Sequence, residues 1–551
     1  MRKSLLIILG AALALPVAAQ SWDQAQLFSE NIYGGTARSI AMGNALTAVG
    51  GDMGSVNINP AGSSVAGYSQ VVVTPGLSIS VTNAQGYSDE GVEPLGLGDH
   101  VKSSYVRMKL PSIGFMLNME TGRRHGLRRL SFGFLANSTN DFTSRMNSSG
   151  ILYGKNTFAG SLASLADGYS PTILGGDWYL QGPEWSAMAG YRSGIFDQYG
   201  QDKYLAVTDI LVDGKTQAVK PIKQRYGEQV RGFKQDIILN LSANWDNKFY
   251  LGANLGVTIM NYVQSEYWEE MPADQSTFPP IEYDGGSKIG TFNSLLAKRM
   301  YQVTGSGIYF KAGFLWRPFA GFRIGAAVQT PTLMNMTGRL AWQAESNISG
   351  MNFSPARSPE DKWVYSLIMP FRFNVGMAYA FGSVAVLSVD YEMADYSHSN
   401  YRSRSEFRND DTWIDVNADI TDVLGISHYL RAGLEIKPIP ALSIRAGYNF
   451  LTSAQKNWLN WDYTVTPLTQ QEKQRQNRHI ASFGAGYAFG PFFADIAVRL
   501  RFLPTTYYVP YSKYTYTTNY QNKFVDDLSE VPMVSVTAMG IDTALTLGWR
   551  F

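Results

Sequence analysis

Arg372, Arg445, Arg499, Arg501 and Arg550 are the residues of this chain whose type and spacing come nearest to chemistry. Each takes a polar place in an alternating run. Phe371, Phe373, Val375, Met377 and Tyr379 alternate with Arg372, and Ile444, Ala446, Tyr448 and Phe450 with Arg445. Ile496, Val498, Leu500 and Phe502 alternate with Asp495, Arg499 and Arg501. Guanidinium groups in such rows can pair with Asp495 and Asp542 as a standing charge network, or one of them can hold the carboxylate of a ligand. Both readings stay open. Enzymatic motifs do not appear: there is no Gly-x-Ser-x-Gly, no His-Glu-x-x-His, no phosphate loop and no cluster with metal-ligand spacing. No catalysis, cofactor or metal is expected. The five histidines are scattered: His100, His398, His428 and His479 on or near loops of one end, His125 in a turn of the other.

The elements that carry the arginines read as strands. From Ile541 to Phe551 the odd positions are Ile, Thr, Leu, Leu, Trp and Phe, and the even ones Asp, Ala, Thr, Gly and Arg. A strand with lipid on one side and a polar lumen on the other shows this period of two. The pattern recurs in about fourteen segments from 68–83 to 533–551, an even number as single-chain barrels prefer. Connections alternate between short ones, such as Asp246-Asn247-Lys248, Pro318-Phe319 and Gly490-Pro491, and long ones, of which 141–228 and 264–301 are the largest. That asymmetry suits short periplasmic turns and long extracellular loops. A soluble sandwich also alternates, but rarely sets so many arginines on such long aromatic strands. The expected fold is therefore all-β: a transmembrane antiparallel barrel over 67–551, in a Gram-negative outer membrane.

Composition agrees. Lys+Arg number 46 against 45 Asp+Glu, which gives nucleic acid nothing to bind. Aromatics reach 13% while charged residues are only 17%, and there is no cysteine. Met1-Arg2-Lys3, an apolar stretch to Leu15 and Val17-Ala18-Ala19 read as a signal peptide over 1–19.

Residues 20–66 are not strand-like. Irregular backbone cannot face lipid, because its polar groups would lack partners. The stretch Ala37–Val49 reads as a short helix with Ile40, Met42, Leu46 and Val49 as its apolar residues, ended by Gly50-Gly51. A helical plug inside the lumen would use such a face. "GGTARSIAMGNALTAVGGDMGSVNINPAG" resembles the N-terminal hatch of the FadL family of outer-membrane channels for long-chain fatty acids and other hydrophobic compounds. Ala48, Val49, Asp52, Asn59, Pro60, Ala61 and Gly62 fill the hatch positions. "LPSIGF" (110–115) is also similar to the family, and "FRIGAAVQTPT" (322–332) and "VDYEMADYS" (389–397) to its Bacteroidetes branch. The terminal Phe551 resembles the aromatic that barrel-assembly machinery reads as a signal.

The resemblance implies passive uptake: loop capture of a hydrophobic molecule or lipid, lumen binding, hatch movement and sideways release through the wall. For capture, Phe158, Leu162 and Leu165 share a helical face, Trp185, Met188 and Tyr191 a second, and Phe292, Leu295, Leu296 and Met300 a third. These stripes would otherwise pack the loops together. For a lateral opening, Asn137, Ser138, Thr139 and Asn140 interrupt alternation late in the third strand, the one that kinks inward in FadL relatives. The other reading is an ordinary bulge. Two more functions stay open: a barrel whose outer loops hold a protein partner, as in secretion systems, and porphyrin capture, as some relatives are labelled. A plug argues against a general porin.

Overall fold

Fourteen antiparallel strands pair in chain order and the last returns to the first, which closes the sheet into a barrel. The computed structural model describes residues 21–88, 94–154, 156–179, 182–212, 216–218, 220–283, 288–404, 413–459, 464–514 and 531–551. The signal-peptide stretch 1–19 lies outside them. The strands are β1 (Gln70–Tyr87), β2 (Val101–Glu120), β3 (Leu127–Asp141, continued by Ser144–Leu152), β4 (Ile222–Trp245) and β5 (Phe249–Pro272). They go on with β6 (Lys288–Phe319), β7 (Phe322–Gln329 and Thr332–Ser349), β8 (Asp361–Met369 and Arg372–Phe381) and β9 (Ala385–Asp395 and Asn400–Ser403). The wall ends with β10 (Ile426–Ile439), β11 (Leu442–Leu451), β12 (Arg478–Phe489), β13 (Phe492–Phe502, then Thr506–Tyr508) and β14 (Met533–Arg550). Pro331 and Pro370 interrupt β7 and β8 side by side, since proline brings no ladder donor.

Alternation sorts the side chains as the period of two predicts. Leu545, Leu547 and Trp549 point outward and are exposed, while Asp542, Ala544 and Thr546 are buried within. The outward set forms a band with an aromatic rim at the end of the short turns. Phe249 stacks on Trp316 at 6.0 Å and Phe319 on Phe322 at 5.2 Å. Trp549 meets Phe551 at 4.7 Å, and Phe551 pairs its backbone with Ser69. An apolar band with an aromatic girdle is what a bilayer asks of a barrel wall. Among the described residues no helix is long and apolar enough to cross a membrane. In the three-residue connection Asp246-Asn247-Lys248, Asp246 and Asn247 have φ of 54° and 55°, as the type I′ conformation requires, whose twist matches the flanking strands.

Two expectations about the connections need correction. The loops are shorter than 141–228 and 264–301, because strands run on beyond the bilayer: β3 resumes at Ser144, β4 starts at Ile222, β5 reaches Pro272 and β6 begins at Lys288. With water outside, no apolar face is required there, so the signature fades while the hydrogen-bond ladder continues. The turn expected at Pro318-Phe319 falls instead at Ala320-Gly321, both earlier residues closing β6.

The N-terminal segment packs inside the barrel. It comprises α1 (Trp22–Ser29), α2 (Ala37–Ala41), α3 (Met53–Ile58) and a 3₁₀ turn, Pro60–Val65. The helix expected over Ala37–Val49 thus stops at Ala41, and the rest of that stretch is turns; α3 lies beyond it. Gly43 and Asn44 adopt φ of 61° and 57°, and the Asn44 N–H closes on the Ser39 carbonyl at 2.8 Å, ending α2 in a left-handed cap. Gly43 is required there: a Cβ would lie 2.4 Å from Asn449 Oδ1 and 3.0 Å from the Ala432 carbonyl.

Candidate functional site

The seat of the plug is made by absence. Inward-facing glycines on successive strands leave room for its backbone. A Cβ at Gly252 would meet Pro60 at 2.4 Å, at Gly313 Asn59 at 2.2 Å and at Gly325 the Thr47 carbonyl at 2.3 Å. One at Gly433 would meet the Met42 carbonyl at 2.4 Å and at Gly447 the Gly43 nitrogen at 2.2 Å. The hatch-type residues use this closeness. Asn59 donates to the carbonyls of Thr47 (2.7 Å) and Phe314 (2.9 Å) and accepts from the Ala61 N–H (3.1 Å). Asp52 caps α3 through Gly54 N–H at 2.8 Å and takes the Thr36 hydroxyl at 2.7 Å. Ala48 and Val49 are buried, the latter's carbonyl held by Arg323 at 2.6 Å, and Gly62 accepts the Gly51 N–H at 2.8 Å. Gly433→Val is expected to force the Met42 turn off the wall at a cost of about 1–3 kcal/mol. Limited proteolysis from the short-turn side would then cut the N-terminal segment faster while the barrel keeps its heat-modifiable mobility.

Charges lock the plug from the wall. Arg445 bridges Glu435 and Asp495, both at 2.6 Å, and Arg38 of α2 joins Glu435 at 2.8 Å. Arg499 pairs with Asp542 at 2.8 Å and donates to the Tyr33 carbonyl at 2.7 Å, while Arg501 reaches Asp542 at 3.1 Å. Arg372 and Arg431 share Glu392 at 2.8 and 3.0 Å. Arg550 stacks on Phe493 instead, at 4.3 Å. Two lysines escaped the sequence reading. Lys234 donates to the carbonyls of Phe28 (2.8 Å) and Glu30 (2.5 Å), and Lys311 to that of Asn57 (2.6 Å). Their signal was present: each is a lone cation on the lumen phase of an alternating strand.

The wall is not evenly sewn. β2 pairs with β3 only from Ser112↔Asn137 to Glu120↔Arg129, although β3 continues to pair with β4. Above Asn137 the plug backbone fills the break, with Ile32 N–H on Thr139 (2.7 Å), Gly34 on Ser138 (2.7 Å) and Gly35 on Pro111 (3.3 Å). Asn140 donates to the Glu30 carbonyl. Lys109 reaches across to Asp141 at 3.9 Å. Asn137–Asn140 therefore lie together at a seam in the sheet, with a register shift between Ser138 and Asn140.

The outer mouth is capped. α4 (Phe158–Ala166) sets its first N–H groups on the Glu270 carboxylate (2.8 and 3.1 Å), and Phe158 stacks on Trp268 at 4.9 Å. Phe158, Leu162, Met188, Phe292 and Leu295 are buried in one cluster, with Leu165, Trp185 and Tyr191 packed against it. In this structure they are core, not an open groove. The expected helical face at Phe292, Leu295, Leu296 and Met300 is corrected: all four lie on β6. A register shift between Phe292 and Ser294 turns Phe292 to the same side as Leu295, whereas Met300 faces outside and is exposed. Below the cap, Phe28, Phe142, Tyr262, Tyr301, Tyr365 and Tyr401 form a second, aromatic cluster inside the barrel. Among the described residues no group of acidic, histidine or cysteine side chains is gathered to hold a metal ion.

No family model and no curated protein matches this chain significantly. Solved structures do. A Pseudomonas aeruginosa FadL homologue superposes with a TM-score of 0.50 at 12% identity, covering 95% of this chain and 99% of that one. The toluene transporters TodX of P. putida and TbuX of Ralstonia pickettii give TM-scores of 0.45 and 0.44. Each is 14% identical and covers 94% of this chain, and 99% and 98% of its own. At these identities the likeness is one of fold: a closed fourteen-strand barrel of the FadL type.

Proposed function

We propose that this chain, a barrel of FadL-type fold with its N-terminal segment inside, is a passive outer-membrane channel for hydrophobic molecules of the fatty-acid class. The observation that carries the reading is the seam: β2–β3 pairing stops at Ser112↔Asn137 and plug backbone occupies the break. The plug thereby contacts both the lumen and a place where the wall lacks strand-to-strand bonds. A greasy solute gains ~0.8 kcal/mol for each CH₂ that leaves water, so a dry path ending in the bilayer serves it better than an aqueous pore. In this scheme the cap opens to expose Phe158, Leu162, Trp185 and Met188 and the solute enters the aromatic chamber. It leaves sideways when Ile32–Gly35 withdraws from Ser138 and Thr139. The hatch resemblance and the apolar clusters above the plug support this.

A covalent lock tests it. Ser63 of the plug and Ser242 of β4 approach with Oγ atoms 2.6 Å apart, and the chain has no cysteine to compete. In the Ser63→Cys/Ser242→Cys variant, oxidation should cut uptake of a radiolabelled long-chain fatty acid by cells to background, and reductant should restore it. Equal uptake in both redox states would rule out release by plug movement. Purified protein that carries no lipid on extraction and mass spectrometry would count against import itself.

A further inference from the structure

A groove of about 500 Å³ crosses the upper wall. It lies on the outer face. Its lining takes the outward residues Ser265 and Tyr267, Lys298 and Met300, Ala341 and Gln343, in pairs on three neighbouring strands, each pair flanking one inward residue. The hydrogen-bond register sets these in two rows. One runs Asn147, Gly227, Tyr267, Lys298, Gln343, Arg357, and the other Arg145, Gln229, Ser265, Met300, Ala341. Ser265 and Ala341 supply a shallow floor and longer side chains the banks, with the Tyr267 ring lying over Gly227.

The charged residues of its two outward rows are all cationic; the carboxylates that also line it, Glu228 and Glu266, belong to the inward row between them, where Arg299 pairs with Glu266. Arg145, Lys298 and Arg357 have no carboxylate within 4.0 Å among the described residues, whereas their neighbours Arg225 and Arg339 are paired to Glu269 (3.1 Å) and Glu360 (3.4 Å). Three free cations around one groove suit phosphate. The rest suits sugar: the Tyr267 ring offers an apolar face, its hydroxyl fixed on Asn147 at 3.1 Å, and the amides of Gln229 and Gln343 can meet hydroxyl groups. Height selects the source. On β5 and β6 the exposed apolar band ends near Val257 and Ile308, which face each other. The groove lies further along the same strands, about 20 Å higher at ~3.3 Å per residue and a ~40° tilt. Acyl chains end below it, and a saccharide headgroup rooted in the outer leaflet reaches it.

We infer that this groove binds the phosphorylated saccharide of an outer-leaflet glycolipid, which docks on the barrel from the side. The test uses the full-length protein in lipid nanodiscs and three probes: phosphorylated lipopolysaccharide of the core type, the same material dephosphorylated, and inorganic phosphate. Arg145→Gln/Lys298→Gln/Arg357→Gln should weaken binding of the phosphorylated glycolipid at least tenfold, and dephosphorylation should weaken binding to the unsubstituted protein similarly. The control Arg225→Gln/Arg339→Gln should bind as the parent does. Heat-modifiable mobility reports folding, and Arg357→Gln alone, expected to give about a threefold loss, serves if the triple variant does not fold. Unchanged binding by the triple variant, or an equal loss in the control, overturns the inference. So does inorganic phosphate competing at the glycolipid's own concentration, which would mark a free-anion site. Fatty-acid uptake by the triple variant should be unchanged, so this site and the transport reading fail separately.

Discussion

Removing residues 20–62 should raise single-channel conductance in planar bilayers at least tenfold over the intact protein. The segment fills the lumen where the wall narrows to glycine, and Asn59, Asn44 and Lys311 spend their donors on plug backbone or on wall carbonyls facing it. Without it Lys311, with Lys234, Arg499 and Arg38's partner Glu435, lines a water-filled path. The wall does not depend on the plug for its own closure, since every strand is bonded to its neighbours and β14 to β1. Deleted protein that folds to a heat-modifiable barrel yet conducts no better than the parent would mean that the cap alone seals the channel. An intact protein that already conducts freely would remove the plug's role as a stopper.

Glu392→Leu should be the most damaging single substitution in the lumen. Its carboxylate accepts from Arg372 (2.8 Å), Arg431 (3.0 Å) and the Tyr33 hydroxyl of the plug (3.2 Å), all buried. Leucine leaves two buried guanidinium groups side by side with Asp390, 3.9 Å from Arg431, as their nearest remaining counter-charge. Breaking a buried pair in this way costs about 3–5 kcal/mol. The midpoint of urea unfolding in detergent should fall accordingly, and the N-terminal segment should become protease-sensitive. Arg372 would be left to hold the Ser29 carbonyl with no carboxylate of its own. Glu392→Gln, which keeps hydrogen-bond acceptance at one oxygen, should lose less. A leucine variant as stable as the parent would show the charges to be solvated rather than locked.

Much of the wall was legible because two solvents write on every strand. Phe249, Leu251 and Leu255 are exposed and Asn254 and Thr258 buried, as the alternation requires. The pattern failed where one solvent was replaced. Above the bilayer water bathes the outer face, and Phe292–Met300 read as a helical stripe although they continue β6. A bulge between Phe292 and Ser294 adds one residue, and that single insertion imitates a helical period. Within the plug the small residues were legible as compactness, but the left-handed pair Gly43-Asn44 ends the expected helix after Ala41, at a place where the wall leaves no space for a Cβ.

The sequence by itself determined the barrel, its strand number, the inward and outward sets, and a small-residue segment before the first strand. Each follows from local spacing that a bilayer on one side and a crowded lumen on the other impose on consecutive residues. Only the tertiary structure decided which groups meet. Arg38 finds Glu435 across 397 residues, and Asn59 finds Phe314 across 255. The same holds for the glycines that seat the plug, the seam at Asn137–Asn140, the buried cap and the cationic groove. They depend on register between strands remote in the chain, and register is fixed by closure of the whole sheet rather than by any stretch within it.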